Sequence, residues 1–226
     1  FADDLQFTIG AGRGSASWPL AELPDPGQVP WDSLHGIPVA LVTGTNGKTT
    51  VVRLIAACAR EAGRATGWCC TDGVFVDGEP LAAGDYSGPA GARQVLRDAR
   101  VECAVLETAR GGILRRGLAV SDADVAVVTS IAADHFGEYG VHDLAGLAEV
   151  KLAVARALSG DGLLVANADD VTLAKAAPQA GKPLAWFARD AGQRSLAAHR
   201  AAGGAACAVA DGRLLLTQGG AGHDLG

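Results

Sequence analysis

Short apolar runs and helical stretches alternate along the chain from Pro38 onward. Val39-Ala-Leu-Val42, Cys103-Ala-Val-Leu106, Val125-Ala-Val-Val128 and Leu163-Leu-Val-Ala166 are each about four residues long and flanked by polar residues or Gly, the pattern of strands buried on both faces. Helices are predicted between them. Lys48 to Ala62 places Val51, Ile55, Ala59 and Ala62 on one stripe and meets Gly63, a C-terminal cap. Further helices are predicted over Gly88 to Asp98, Asp143 to Leu158 and Val171 to Ala176. Val74 to Leu81 instead carries two apolar runs joined by Asp77-Gly78, and Cys207 to Leu216 turns at Asp211-Gly212; Asp-Gly favours tight hairpins. Strands alternating with helices predict an α/β fold, a mostly parallel sheet with helices on both faces.

Residues 1–36 differ. Gly10, Gly12 and Gly14, then Pro24-Asp25-Pro26-Gly27, give this leading segment the composition of loops and short edge strands. Its alternating glycines are expected to be flexible backbone, since no apolar strand runs into them and no helix follows. The division expected is a leading segment over 1–36 and one nucleotide-binding domain over 37–226, truncated at its C-terminal end. Phe1 in place of an initiator Met, and the absence of any Met, mark the chain as an expected fragment.

Composition narrows the class. With 49% hydrophobic and 19% charged residues the chain reads as globular, and no apolar run approaches the roughly 18 to 20 residues of a membrane span. A net charge of −6 disfavours binding to nucleic acid, which requires clustered Lys and Arg. Five cysteines without Cys-x-x-Cys spacing are expected as reduced, mostly packed thiols, and the expected compartment is the cytoplasm.

The strongest chemical signal is Thr43-Gly44-Thr45-Asn46-Gly47-Lys48-Thr49-Thr50. A strand runs into this Gly-containing turn and a helix leaves it, which aims backbone N–H groups and the helix dipole at an anion. Lys48 would neutralise phosphate oxygens, and Thr49 would offer its hydroxyl to Mg²⁺. The usual first Gly of a phosphate loop is replaced by Val42. In this form the loop resembles that of the Mur ligase family.

That resemblance implies further residues. Glu107 follows the second strand, and Asp134-His135 follows the third after a short turn. By the family pattern Thr49, Glu107 and His135 would bind Mg²⁺, with Lys48, His135 and Lys151 carrying catalysis. Lys151 lies on the predicted apolar stripe Leu144, Leu147, Lys151, Val154, Leu158. It either snorkels to the helix edge or, as the family implies, is carbamylated and helps hold a second metal. Asn167-Ala-Asp169-Asp170 resembles a segment near the nucleotide in Mur-type domains; on residue type alone it is equally a helix N-cap. Glu107-Thr-Ala-Arg110-Gly-Gly-Ile-Leu114 resembles the cyanophycin-synthetase branch of the family, and Arg110 could hold an acidic substrate through a bidentate pair.

Over residues 36–170 the resemblance therefore implies an ATP- and Mg²⁺-dependent ligase. It would activate a carboxylate, possibly on a polypeptide, as an acyl phosphate and couple it to an amino acid amine. A C-terminal ligase domain in the same protein and a homo-oligomer are further expectations. A P-loop protein that hydrolyses or senses nucleotide, or a kinase, is the competing class.

Overall fold

A computed structural model of the chain describes residues 1–3, 5–133 and 137–226. These residues form two compact units, one of Phe1–Val42 with Lys48–Ala123, the other of Thr43–Gly47 with Asp124–Gly226.

The first unit begins with an antiparallel hairpin of β1 (Gln6–Ile9) and β2 (Ala16–Pro19). It continues through β3 (Val39–Thr43), α1 (Lys48–Glu61), β4 (Thr66–Cys70), β5 (Gly73–Val76), β6 (Glu79–Ala83), α2 (Pro89–Arg97), β7 (Cys103–Glu107) and α3 (Arg110–Arg116). Its sheet runs β3-β7-β4-β5-β6. β3, β7 and β4 are parallel, and β5 and β6 extend them antiparallel. The expected Asp-Gly hairpin joins β5 to β6, with φ of +50° at Asp77 and +93° at Gly78, the left-handed values a tight turn demands. Pro80 lies in β6, where a missing N–H is tolerated at a sheet edge.

The leading residues pack into this unit. Arg97 of α2 donates from Nε to Thr8 Oγ1 (2.9 Å) and from Nη2 to the Gln6 carbonyl (3.3 Å), pairs with Asp3, and stacks over the Phe1 ring at 5.3 Å. The glycines expected as flexible backbone are instead packing positions. A Cβ at Gly12 would lie 2.2 Å from the Val101 carbonyl oxygen, against which the Arg13 amide bonds at 2.8 Å. β4 is absent from the expected strands; a Cβ at its Gly67 would meet Val95 Cγ1 at 2.6 Å, so Gly lets α2 press onto the strand. The α1 stripe is also shifted. Val52 and Ala56 are its buried line, Val51, Ile55 and Ala59 its half-buried flank, and Ala62 is exposed beyond the last turn.

The second unit holds β8 (Ala123–Val128), α4 (Leu144–Leu152), β9 (Leu158–Asn167), α5 (Val171–Ala176), β10 (Leu184–Ala188), α6 (Arg194–Ala201), β11 (Ala205–Ala210), β12 (Arg213–Gln218) and β13 (Ala221–Asp224). Its strand order is β8-β9-β10-β11-β12-β13. β9, β10 and β11 are parallel, and β12 and β13 turn back antiparallel. The Asp211-Gly212 hairpin forms as expected, with φ of +51° and +77°. The helix predicted over Asp143 to Leu158 is shorter: α4 ends at Leu152, a tight 3-10 turn covers Ala153–Ala157, and Leu158 already opens β9. Val154, Ala155 and Ala157 are buried in that turn, so the apolar periodicity recorded burial and not the backbone that provides it. Among the described residues no helix is long and apolar enough to cross a membrane. All five cysteines are free thiols, Cys69 and Cys70 buried and Cys58 exposed.

Candidate functional site

The residues of the candidate phosphate loop divide between the units. Thr43 to Gly47 group with the second unit, and Lys48 opens α1 of the first.

Within the second unit, the end of β8 shapes the loop. The Thr45 amide donates to the Ser130 carbonyl (2.8 Å), and the Asn46 amide to Ser130 Oγ (3.1 Å). Thr129 Oγ1 lies 2.5 Å from the Asn46 carbonyl and 3.2 Å from that of Thr43, donating to the nearer. Thr45 Oγ1 accepts from the Ala132 amide at 3.0 Å. Gly44 has φ +145°, and a Cβ there would sit 1.9 Å from Thr129 Oγ1; the close approach of Thr129 requires Gly. The amides of Thr45 and Asn46 are thus engaged by protein, whereas that of Gly47, at φ +81°, has no partner among the described residues and is available to an anion.

Asn167 lies at the end of β9. Its Nδ2 donates to the Thr129 carbonyl (3.0 Å) and its Oδ1 accepts from the Asp169 amide (2.9 Å), so it braces the strand end that holds the loop. Asp170 caps α5, Oδ1 accepting from Thr172 and Leu173 at 2.9 and 3.0 Å, while Oδ2 accepts from the Ile131 amide at 2.6 Å. The N-cap reading of this segment holds for Asp170. Lys151 on α4 is 4% exposed, which rules out a head group snorkelling into water. Asp143 caps the same helix, accepting from the Gly146 amide at 2.8 Å.

Within the first unit, Thr49 on the first turn of α1 donates to Glu107 Oε2 at 2.8 Å, with Thr71 Oγ1 3.0 Å from the same hydroxyl. Glu107 ends β7 and is 1% exposed; its Oε1 is buried without a hydrogen-bond partner among the described residues. Burial raises its carboxyl above the usual range, against the Thr49 hydroxyl and the Lys48 charge, which favour ionisation. A buried carboxylate oxygen with nothing to bond, beside a hydroxyl on a phosphate-loop helix, fits a hard divalent cation, whose charge would offset the desolvation. Lys48 is half-buried and Thr50 exposed on α1. Arg110 is the first residue of α3 and half-buried, whereas Arg115 is exposed and turns Nε back to the Gly111 carbonyl at 3.0 Å.

Asp134 and His135 lie outside the described residues, and among those described no cluster of three His, Cys, Asp or Glu groups forms. Thr129 and Ser130 are not among the residues expected from the sequence, and Thr71 is not expected there as a partner of Thr49. Thr129-Ser130 directly follows an apolar strand, the place where open α/β sheets put their sites, and that signal could have found them.

The sequence model of the Mur ligase middle domain matches residues 42–210. The chain belongs to this family. Cyanophycin synthetase from Crocosphaera subtropica is 39% identical over 190 residues, which cover 84% of the chain and 22% of that relative. The chain thus spans about a fifth of the length of that curated relative. Among solved structures, UDP-N-acetylmuramoyl-L-alanyl-D-glutamate–2,6-diaminopimelate ligase superposes with a TM-score of 0.60 at 22% identity, over 84% of the chain and 39% of its own. E. coli FolC, solved with DHPP and ADP, gives 0.56 at 22% identity, over 82% and 47%. At these identities the two structures bear on the fold, which is the α/β sheet of Mur-type central domains.

Proposed function

We propose that the chain is the nucleotide-binding core of an ATP-dependent ligase that joins a carboxylate to an amino acid amine. The single observation that carries this reading is Glu107, buried with one oxygen unpartnered and the other on Thr49, in a chain of the Mur ligase family. A cation held by Thr49 and Glu107 would supply the charge that phosphoryl transfer from ATP requires.

In this reading Gly47, the first turn of α1 and Lys48 hold the β- and γ-phosphates, and Asn46 and Asn167 keep the loop in shape. Thr49 and Glu107 hold Mg²⁺, with His135, and with Lys151 if its amine carries a carbamate. Mg²⁺ supplies charge neutralisation on the phosphate oxygens. A substrate carboxylate oxygen attacks the γ-phosphorus, the bond to the bridging oxygen breaks, and ADP leaves with that electron pair. The amine lone pair then attacks the acyl carbon, the carbon–oxygen bond breaks, inorganic phosphate leaves, and the nitrogen releases its proton to solvent. Lys48 stabilises charge on the transferring phosphoryl group throughout. Arg110 orients an acidic substrate through a planar two-point pair.

The substrates proposed are a free amino acid as amine donor and a carboxylate on a small molecule or polypeptide, in the cytoplasm. The amine is received by a further domain of the same protein, which could assemble as a homo-oligomer. ADP in the FolC structure supports the nucleotide assignment by analogy of fold.

The test is phosphate release from ATP by the intact protein, with acid and amine candidates added singly and together. Release that needs both partners and yields a new amide is expected. Hydrolysis independent of the amine, with no amide formed, overturns the ligase in favour of a nucleotide hydrolase.

A further inference from the structure

A second charged concavity lies in the first unit at the opposite end of its strands from Lys48 and Thr49. It is an open cleft of about 510 Å³ lined by Arg13, Arg60, Arg64, Arg100, Asp77 and Glu102. Its guanidinium groups lie among carboxylates, Asp77 and Glu102 in the lining and Asp98 and Glu79 on Arg100, so Arg64 is the one left without a carboxylate in contact among the described residues. A cation without a counter-ion, set in a concave surface, attracts an incoming anion.

Three of the four arginines are held in place by carboxylates that occupy part of each fork. Arg13 Nη1 pairs with Glu102 Oε1 at 2.5 Å, while Glu102 Oε2 accepts from the Ala65 amide at 3.1 Å. Arg60 pairs through Nε with Asp77 at 3.2 Å, and its outer nitrogens lie across the β5–β6 turn, 3.0 to 3.3 Å from where a Cβ on Gly78 would stand. Arg100 pairs two-pronged with Asp98, at 2.9 and 2.7 Å, and reaches Glu79 at 3.1 Å. Arg64 is exposed, and its guanidinium has no partner among the described residues. Each pairing leaves further N–H donors on the same planar group, and pre-positioning removes part of the ordering cost of binding.

We propose that this cleft binds a compact oxyanion carrying two or more charges, a phosphoanhydride or a polycarboxylate, with Arg64 as the principal contact and Arg13 and Arg60 as flanking donors. The site is separate from the phosphate loop. Lys48 opens α1 and Arg60 lies near its end, 14 residues making a helix about 21 Å long. An anion here therefore leaves the loop free for nucleotide, and α1 is the rigid element that joins the two places.

The experiment measures arginine-specific labelling by a phenylglyoxal, with peptide-resolved mass spectrometry, on the intact protein saturated with ADP so that the phosphate loop is occupied. Pyrophosphate and citrate are added in separate arms at matched ionic strength against sodium chloride, and exposed Arg194, in the other unit, is the control. The expected result is saturable protection of Arg64 and Arg13 by one of the two anions, at about 1 mM or below, with Arg194 unchanged; the effective arm identifies the anion class. Arg64→Ala, which breaks no pair, should weaken protection of Arg13 about tenfold. Glu102→Gln, which frees Arg13 from its partner, should tighten it. Labelling rates insensitive to both anions, equal protection of Arg194, or protection of Arg13 that survives Arg64→Ala unchanged would each overturn the assignment.

Discussion

Substituting Gly44 by Ala tests whether the end of β8 shapes the phosphate loop. Two costs are imposed. The backbone at φ +145° is one that residues with a Cβ adopt only under strain, about 1–3 kcal/mol. The new methyl would also stand 1.9 Å from Thr129 Oγ1, so Thr129 must swing away and give up its 2.5 Å bond to the Asn46 carbonyl, worth about 1 kcal/mol. Together these come to about 2–4 kcal/mol, divided between unfolding free energy and nucleotide affinity. Urea denaturation measures the first and calorimetric titration with ADP the second. Thr129→Ala removes the oxygen that the methyl strikes, so the Gly44→Ala cost measured in that background should fall by about 1 kcal/mol, a coupling of the sign expected for touching residues. Equal costs in both backgrounds would refute the contact, and a Gly44→Ala protein with wild-type stability and ADP affinity would refute the loop geometry itself.

Glu107→Gln should raise the unfolding free energy measured in urea without divalent cation at neutral pH by about 1 kcal/mol, while abolishing Mg²⁺-dependent ATP binding. The wild-type carboxyl, raised by burial, contributes stability only while protonated, and this is lost as pH rises through its folded value. The stability gap should therefore close on acidification, and a gap independent of pH counts against the burial argument. Asp170→Ala removes the cap of α5 and the anchor of the Ile131 amide, with an expected loss of about 2 kcal/mol in urea unfolding; Asp170→Asn should recover part of it. Asp3 is held below the usual carboxylate range by its Arg97 hydrogen bond and then by the Leu5 and Gln6 amides. Asp3→Asn should cost about 1 kcal/mol at neutral pH, read by denaturation across a pH series. Since that stability is present above the ordinary carboxyl value and lost as pH falls, the variant and wild type should converge in acid; a constant difference would point to packing instead.

Much of the architecture can be read before any coordinates. The strand preceding Thr43, the helix from Lys48, both Asp-Gly hairpins and Glu107 at a strand's carboxyl end all follow from local rules of burial, turn chemistry and capping, because each depends on residues within one element. Where the reading failed, burial pattern and backbone geometry had come apart. Leu158 keeps the periodicity of α4 yet begins a strand, and Gly10, Gly12 and Gly14 have the composition of flexible backbone yet are packing positions.

The sequence by itself determined that a Gly-containing turn with the pattern of a phosphate loop stands between a buried strand and a helix, since that requires only the order of apolar, Gly and Lys-Thr residues. Only the tertiary structure decided how the turn is held. Thr129 and Ser130, more than 80 residues along the chain from Asn46, shape it through contacts no local pattern encodes. The same holds for the arginine cleft. Arg13, Arg60, Arg64 and Arg100 are scattered surface charges in sequence, and they share a concavity only because β4, β7 and the end of α1 bring their strand-end loops together.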